Sequence, residues 1–215
     1  MIGYPITLVH LHRVRCLVIG GGKVAARKVA GLLATRAQVV VLSPVLCERL
    51  EILATRGDIE VMRRDYCSGD LEETFLVIAA TDDPSVNHQV WEEAQARGVL
   101  INVVDDPAHC TFIAPAVVRQ GPLTLAISTG GRCPALARHL REQLEQEFDP
   151  AYGRFVELLG ELRERTITAL PFSRRNVFWE QLFHSDVLAL MTSGDEAIAR
   201  RRAEEILAQN LVGDI

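Results

Sequence analysis

Arg15-Cys16-Leu17-Val18-Ile19-Gly20-Gly21-Gly22-Lys23-Val24-Ala25 is the stretch on which the reading of this chain turns. After Arg15 it is a short apolar run stopped by glycines, which reads as a buried strand. From Val24 to Ala34, Val29, Leu32 and Leu33 fall at the i, i+3, i+4 spacing of a helix face. Gln38 to Leu42 holds three consecutive valines and reads as a second buried strand. Strand, helix and strand over about thirty residues make a βαβ unit, whose strands must run parallel.

The glycines between strand and helix fit the pattern G-x-G-x-x-A, Gly20 to Ala25. Gly20 permits the tight turn, Gly22 lets the backbone approach a pyrophosphate, and Ala25 allows helix and strand to pack closely. The helix start then offers free N–H groups and a positive dipole end to phosphates. Gly20, Gly22, Lys23 and Val24 are therefore candidate dinucleotide-binding residues. An Asp or Glu expected about 20 residues further on, for the adenosine ribose, is missing. That region reads Ser43-Pro44-Val45-Leu46, with no carboxylate before Glu48 and no basic residue for a 2′-phosphate. Ser43, Pro44 and Val45 are the candidates there, and the residues leave NAD and NADP unresolved.

Outward from this unit the alternation continues. Ile59–Met62, Leu76–Ala80 and Val99–Val104 read as strands, and Asp83-Pro84 as the start of a helix striped by Val86, Val90 and Ala94 and stopped at Gly98. Continuously apolar strands imply helices on both faces of the sheet. Near residue 112 the rhythm changes. Phe112–Arg119 and Leu123–Ser128, joined by Gln120-Gly121-Pro122, read as an antiparallel hairpin. Leu136, Leu140, Leu144 and Phe148 then repeat every four residues, and helices are expected around 152–165, 176–191 and 195–209. The expected fold is α/β: a Rossmann-type parallel-sheet domain (1–111), a small hairpin-and-helix module (112–147) and a helical domain (148–215).

Composition narrows the function classes. A net charge of −5 argues against nucleic acid as the main partner. No apolar run approaches the ~18 residues of a membrane helix, and the first residues lack the basic-then-apolar layout of a signal peptide. The 5 cysteines form no C-x-x-C pair, so reduced thiols and a cytoplasmic location are expected. Among the 6 histidines no H-x-x-x-H or H-E-x-x-H occurs. His10 and His12 read as alternating in an extended surface segment. His109-Cys110 alone is weak metal-ligand material, and no metal site is assigned.

Four ordered segments carry a resemblance. Gly20-Gly21-Gly22-Lys23-Val24-Ala25-Ala26-Arg27-Lys28 is the first, and Ala79-Ala80-Thr81-Asp82-Asp83 with Asn87 the second. Asn102-Val103-Val104-Asp105-Asp106-Pro107, followed by Phe112-Ile113-Ala114-Pro115-Ala116, is the third. Ile127 to Arg138, Ile-Ser-Thr-Gly-Gly-Arg-Cys-Pro-Ala-Leu-Ala-Arg, is the fourth. Together they resemble the precorrin-2 dehydrogenases of siroheme synthesis over residues 1–150, and more loosely beyond. The resemblance implies NAD as cofactor, precorrin-2 as substrate and sirohydrochlorin as product. It also implies a homodimer whose interface draws on the middle module, and a stand-alone form without a methyltransferase domain. Bifunctional relatives also insert Fe2+ into sirohydrochlorin, and the sequence does not decide that activity. One departure is Cys133, where the family usually has Ser. A serine would cap the helix starting at Pro134, and cysteine caps poorly.

The resemblance aligns the family's important aspartate with Asp105, just past a strand end where ligands of open α/β sheets bind. Asp105 is expected to accept the proton released as hydride leaves. The competing structural reading has Asp105 and Asp106 capping a turn before Pro107. Thr81 and Asp82 are expected to line the cofactor cleft, with Asp83 as a helix cap. Asn102, at a strand end, is expected either to orient the substrate or simply to satisfy a backbone group. Thr129 and Gly130, with Arg132 and Arg138, are expected to receive the substrate's carboxylates at a helix N-terminus; without the resemblance the two arginines read first as a solvated helix face. The rival from another class is an NAD-sensing regulatory module without catalysis, since fold alone does not fix function. Such a sensor would need neither the 102–107 segment nor the 128–134 loop.

Overall fold

The computed structural model describes residues 3–211. Residues 1–2 and 212–215, the outer ends of the first and last expected segments, lie outside the described residues. The chain divides into two compact units, Met1–Ala114 and Pro115–Ile215.

The first unit holds five parallel strands, β1 (Arg15–Ile19), β2 (Gln38–Leu42), β3 (Glu60–Met62), β4 (Thr74–Ala79) and β5 (Leu100–Val103), in the order β3-β2-β1-β4-β5. Its helices are α1 (Lys23–Leu33), α2 (Glu48–Thr55) and α3 (Pro84–Arg97). β1 pairs with β2 from Arg15↔Gln38 to Ile19↔Leu42. Successive strand side chains point to opposite faces. Cys16, Val18, Val39, Val41 and Ile78 pack with Val29 of α1 and Leu50 of α2. Leu17, Ile19, Val40, Leu42, Val77 and Ile101 pack with Val90 and Ala94 of α3. Both faces are covered, so both sets of positions must be apolar. Each such Val, Leu or Ile contributes about 1.5–3 kcal/mol when fully buried.

α3 starts as its sequence predicts. The Asp83 carboxylate accepts from the backbone N–H groups of Ser85 and Val86, and Gly98 closes the helix at φ 69. α2 is not foreshadowed by the apolar pattern. It has eight residues, no side-chain cap, and Leu50 as its buried contact. His10 and His12 do not lie in an extended segment. His10 has φ 60 and precedes a single 3-10 turn, Leu11–Arg13, because Leu11 turns inward and is buried.

In the second unit β6 (Ala116–Gln120) and β7 (Leu123–Ile127) form the antiparallel hairpin, in register from Ala116↔Ile127 to Gln120↔Leu123. The strand expected from Phe112 starts only at Ala116. Residues 111 and 112 are instead tied back to β5, with Thr111 N–H donating to Ile101 O at 2.9 Å and Asn102 Nδ2 donating to Phe112 O at 3.1 Å. Five helices follow: α4 (Pro134–Glu147), α5 (Pro150–Ala169), α6 (Phe172–Phe183), α7 (Val187–Ser193) and α8 (Glu196–Leu211). The helix expected over 176–191 is thus two. Ser185 donates to Leu182 O at 2.6 Å and accepts from Val187 N–H at 3.3 Å, closing one helix and opening the next. Phe155, Leu162, Phe178, Leu182, Met191 and Leu207 form this unit's core. α5 meets the hairpin at Gly153, where a Cβ would stand 2.6 Å from Gln120 O. Leu136, counted in the apolar stripe of α4, is 47% exposed, and Ala137 is the buried residue of that helix.

Candidate functional site

A cleft of about 520 Å3 opens in the first unit, lined by segments that follow the C-terminal ends of its strands. Gly20 follows β1, Ser43 follows β2, Ala80 follows β4 and Asp105 comes shortly after β5. Ligands of open parallel sheets bind at such ends. The cleft brings together Gly20, Gly22, Lys23, Val24, Ser43, Pro44, Val45, Thr81, Asp82 and Asp105.

The glycines divide the work unevenly. Gly20 has φ 118, and a Cβ there would lie 2.3 Å from Ala80 O. Gly21, to which the sequence pattern assigns no job, is the tightest: its Cβ would lie 1.8 Å from Val45 O. Gly22 caps α1 without a side chain, and nothing lies within 4 Å of a Cβ built on it. The first-turn N–H groups of α1 therefore face open space that a side chain would fill. That arrangement fits a pyrophosphate approaching a helix N-terminus.

On the β4 side, Thr81 is stapled to α3. Its Oγ1 lies 2.8 Å from Asn87 Oδ1, and Asn87 Nδ2 donates to Thr81 O at 3.0 Å. Hydrogen bonds from Ser85 and Val86 hold the Asp83 carboxyl below its ordinary range. Asp82 is exposed at the cleft rim.

On the β2 side, Ser43 is buried and its hydroxyl donates to Val45 O at 2.8 Å. Arg64, Asp65 and Tyr66 also line this side, and sequence reasoning missed them. The available signal was the charged cluster Arg63-Arg64-Asp65 directly after a strand. Arg64 grips Asp70 with two hydrogen bonds of 2.7 and 2.5 Å. Asp70 also accepts from Cys67 N–H at 2.8 Å, and the Arg64 guanidinium holds its carboxyl below the usual range. Tyr66 donates to Glu93, and its burial pushes the phenol up.

Asp105 sits in a tight turn closed by Asp106 N–H donating to Val103 O at 3.3 Å. Its φ is 60, a left-handed conformation that favours glycine and is uncommon for other residues. Asp106 does not cap the following 3-10 turn. It pairs instead with His109 Nδ1 at 2.6 Å, which lowers its carboxyl below the usual value. His109 rests edge-on against Trp91, with ring centroids 4.6 Å apart. Cys110 turns away from His109. Its sulfur lies 3.2 Å from Val103 N and 3.4 Å from Asn102 Nδ2, and burial raises its thiol. Asn102 is buried and is not among the residues that line the cleft. Among the described residues no group of three His, Cys, Asp or Glu side chains is placed to hold a metal ion. All five cysteines are free.

Thr129, Gly130, Arg132 and Arg138 belong to the second unit. Thr129 Oγ1 accepts from Cys133 N–H at 3.1 Å, and Gly130 and Gly131 have φ 61 and 78. Cys133 makes no side-chain cap, as its sulfur predicts, and the Thr129 hydroxyl serves the N–H that precedes α4. Arg138 is exposed and bonded to Glu142 at 2.9 Å along its own helix.

Fold and cleft together define a dinucleotide-binding α/β protein. The model for a putative NAD(P)-binding family matches residues 7–116, that for a sirohaem biosynthesis protein central region residues 120–147, and that for a sirohaem synthase dimerisation region residues 151–207. The chain is 40% identical over 195 residues to siroheme synthase of Photorhabdus laumondii, covering 90% of this chain and 42% of that protein. It is 42% identical over 197 residues to siroheme synthase of Thioalkalivibrio sulfidiphilus, covering 91% of this chain and 40% of that protein. The solved structure of SirC, a precorrin-2 dehydrogenase, superimposes with a TM-score of 0.76 at 24% identity, covering 96% of this chain and all of that one, and shares the fold. The chain belongs to the putative NAD(P)-binding family whose model it matches, and spans about two fifths of the length of the siroheme synthases it resembles. The description "dimerisation region" falls on α5 to α8, after the hairpin module expected to carry the interface.

Proposed function

We propose that the protein oxidises precorrin-2 to sirohydrochlorin with NAD as the acceptor. The observation that carries this reading is Asp105. An exposed carboxylate is held in a left-handed turn at the rim of a cleft fit for a dinucleotide, at the end of β5. When bound, NAD supplies the hydride acceptor. The chain supplies the rest. Gly20, Gly22, Lys23 and Val24 hold the pyrophosphate at the start of α1. Ser43, Pro44 and Val45 flank the adenosine, and Thr81 and Asp82 wall the opposite side. Oxidation removes one hydride and one proton from the macrocycle, and the Asp105 carboxylate takes the proton.

Thr129, Gly130, Arg132 and Arg138 are proposed to receive the carboxylates of the tetrapyrrole. Asn102, with its carboxamide engaged inside the protein, acts on the substrate only through the turn it supports. The proposed functional division remains 1–111 for the cofactor, 112–147 for dimerisation and 148–215 for the helical domain. A homodimer is proposed in which the 112–147 module contributes alongside the matched dimerisation region. Phe172 and Phe183 of α6, 79% and 59% exposed, supply apolar surface for it. Light scattering should give twice the chain mass of 23.8 kDa at micromolar concentration; the monomer mass would refute the dimer.

The deciding experiment supplies purified protein with precorrin-2 and NAD and follows NADH absorbance with sirohydrochlorin formation. Stoichiometric appearance of both supports the reading. NAD binding without turnover would leave the chain a sensor of NAD. Iron insertion is assayed apart, with Fe2+ and sirohydrochlorin as substrates. No helix among the described residues is long and apolar enough to cross a membrane, and a cytoplasmic location is proposed.

A further inference from the structure

We propose that Asp65 supplies the ribose-binding carboxylate that the end of β2 lacks, and that it makes the cleft select NAD over NADP. The inference rests on the dinucleotide reading of the cleft and names the group that reads the adenosine ribose.

In most folds of this kind an acidic residue at the end of β2 accepts from the ribose hydroxyls. Here that end reads Ser43-Pro44-Val45-Leu46. Ser43 is buried, its hydroxyl proton is committed to Val45 O at 2.8 Å, and it offers only a neutral acceptor where a carboxylate would be charged. The strand order provides another source. β3 lies beside β2, and Ser43 N–H donates to Met62 O, the last residue of β3, at 3.1 Å. The chain leaving β3 therefore runs past the β2 end. Arg64 N–H turns back onto Met62 O at 3.0 Å, and Asp65 comes next, lining the cleft. Asp65 is exposed, and its carboxylate has no hydrogen-bond or ion-pair partner among the described residues.

The neighbouring cation is unavailable to a phosphate. Arg64 lines the same side, but both prongs of its guanidinium are bonded to Asp70, and one also donates to Asp65 O at 3.0 Å. The Cys67 N–H anchors Asp70 in turn. This side thus presents one unpaired carboxylate and one neutralised arginine. A ribose diol donates to a carboxylate, whereas the 2′-phosphate of NADP meets like charge beside an arginine already bonded to Asp70.

The test is direct titration of the full chain with NAD and with NADP, without tetrapyrrole, followed by calorimetry. The unaltered protein should bind NAD more tightly than NADP. Asp65→Ala and Asp65→Asn should each weaken NAD by about 10- to 100-fold, the worth of a hydrogen bond to a charged group. NADP affinity should hold or rise, so the preference collapses, while Asp65→Glu should retain much of it. Circular dichroism checks that the variants fold, which an exposed position favours. Unchanged NAD affinity and preference in Asp65→Ala would overturn the proposal, as would equal binding of both nucleotides by the unaltered protein. Gly22→Asp separates the two readings. If it abolishes NAD binding while Asp65→Ala changes nothing, the cleft assignment stands and the Asp65 role falls. If neither nucleotide binds the unaltered protein, both fall.

Discussion

Lys28 reaches from α1 to place its ammonium 3.4 Å from the carboxamide oxygen of Asn102 on β5. The other end of that carboxamide donates to Phe112 O at 3.1 Å and faces the Cys110 sulfur at 3.4 Å. Asn102 is buried, so its polar atoms are satisfied by protein and not by solvent. Burial also pulls the Lys28 ammonium below its ordinary pKa. Asn102 is thus a strut that ties α1, β5 and the chain after the Asp105 turn together.

Asn102→Ala should therefore act on stability before it acts on cofactor. It leaves Phe112 O and the Lys28 ammonium without their partner, at a cost of about 1–3 kcal/mol. Urea unfolding should show the loss, and NAD titration of the folded variant should show affinity within about twofold of the parent, an interval well below 1.4 kcal/mol. A large drop in NAD affinity with unchanged stability would place Asn102 in the cofactor site instead.

Gly21 and Gly22 should respond in opposite ways. A Cβ on Gly21 would lie 1.8 Å from Val45 O and 2.7 Å from Ser43 Oγ, so Gly21→Ala must displace the β2 turn. About 1–3 kcal/mol of stability should be lost, as for other overpacked sites. Gly22 has open space, and Gly22→Asp should fold with near-parental stability. Its carboxylate would sit where the pyrophosphate is proposed to bind, so NAD binding should disappear. Thermal melts and titration on the pair separate the two effects.

Asp105→Asn should keep the turn, because asparagine tolerates the left-handed region that φ 60 requires. NAD binding should survive while precorrin-2 oxidation falls by ~100- to 10,000-fold, the usual worth of a positioned base. Asp106→Asn removes the charge that faces His109 and should lower turnover far less. Near-parental turnover in Asp105→Asn would remove Asp105 from the chemistry.

The Arg64–Asp70 bridge makes a pH prediction. The Asp70 carboxyl is held below its ordinary value of 3.8, first by the Arg64 hydrogen bond. A carboxyl depressed in the folded state adds stability that is fully present above its unfolded pKa and is lost as pH falls through the folded one. Asp70→Asn should cost about 1–2 kcal/mol at neutral pH, discounted because Arg64 is partly exposed. The difference between parent and variant should shrink progressively below about pH 4. A difference that stays constant to pH 2 would mean the bridge contributes no such term.

What the sequence determined alone is local in origin. Strands β1 and β2, the glycine turn between them, the Asp83 cap and the tight hairpin at Gly121-Pro122 each follow from apolar spacing or turn chemistry within a few residues. That the residues closest to the glycine turn and Asp105 would line one cleft was legible for the same reason: parallel sheets present their strand ends on one side. The rest depended on contacts that spacing does not encode. Strand order alone brought Asp65 into the same cleft lining as Ser43, since β3 pairs with β2 by hydrogen bonds between residues about 20 apart in the chain. Burial fixed the partners of Asn102, whose carboxamide meets Lys28 and Phe112 O, because a buried carboxamide binds the donors and acceptors the fold encloses with it. The break between α6 and α7 came from Ser185 bonding across its own turn, which an apolar stripe continuing through both helices conceals.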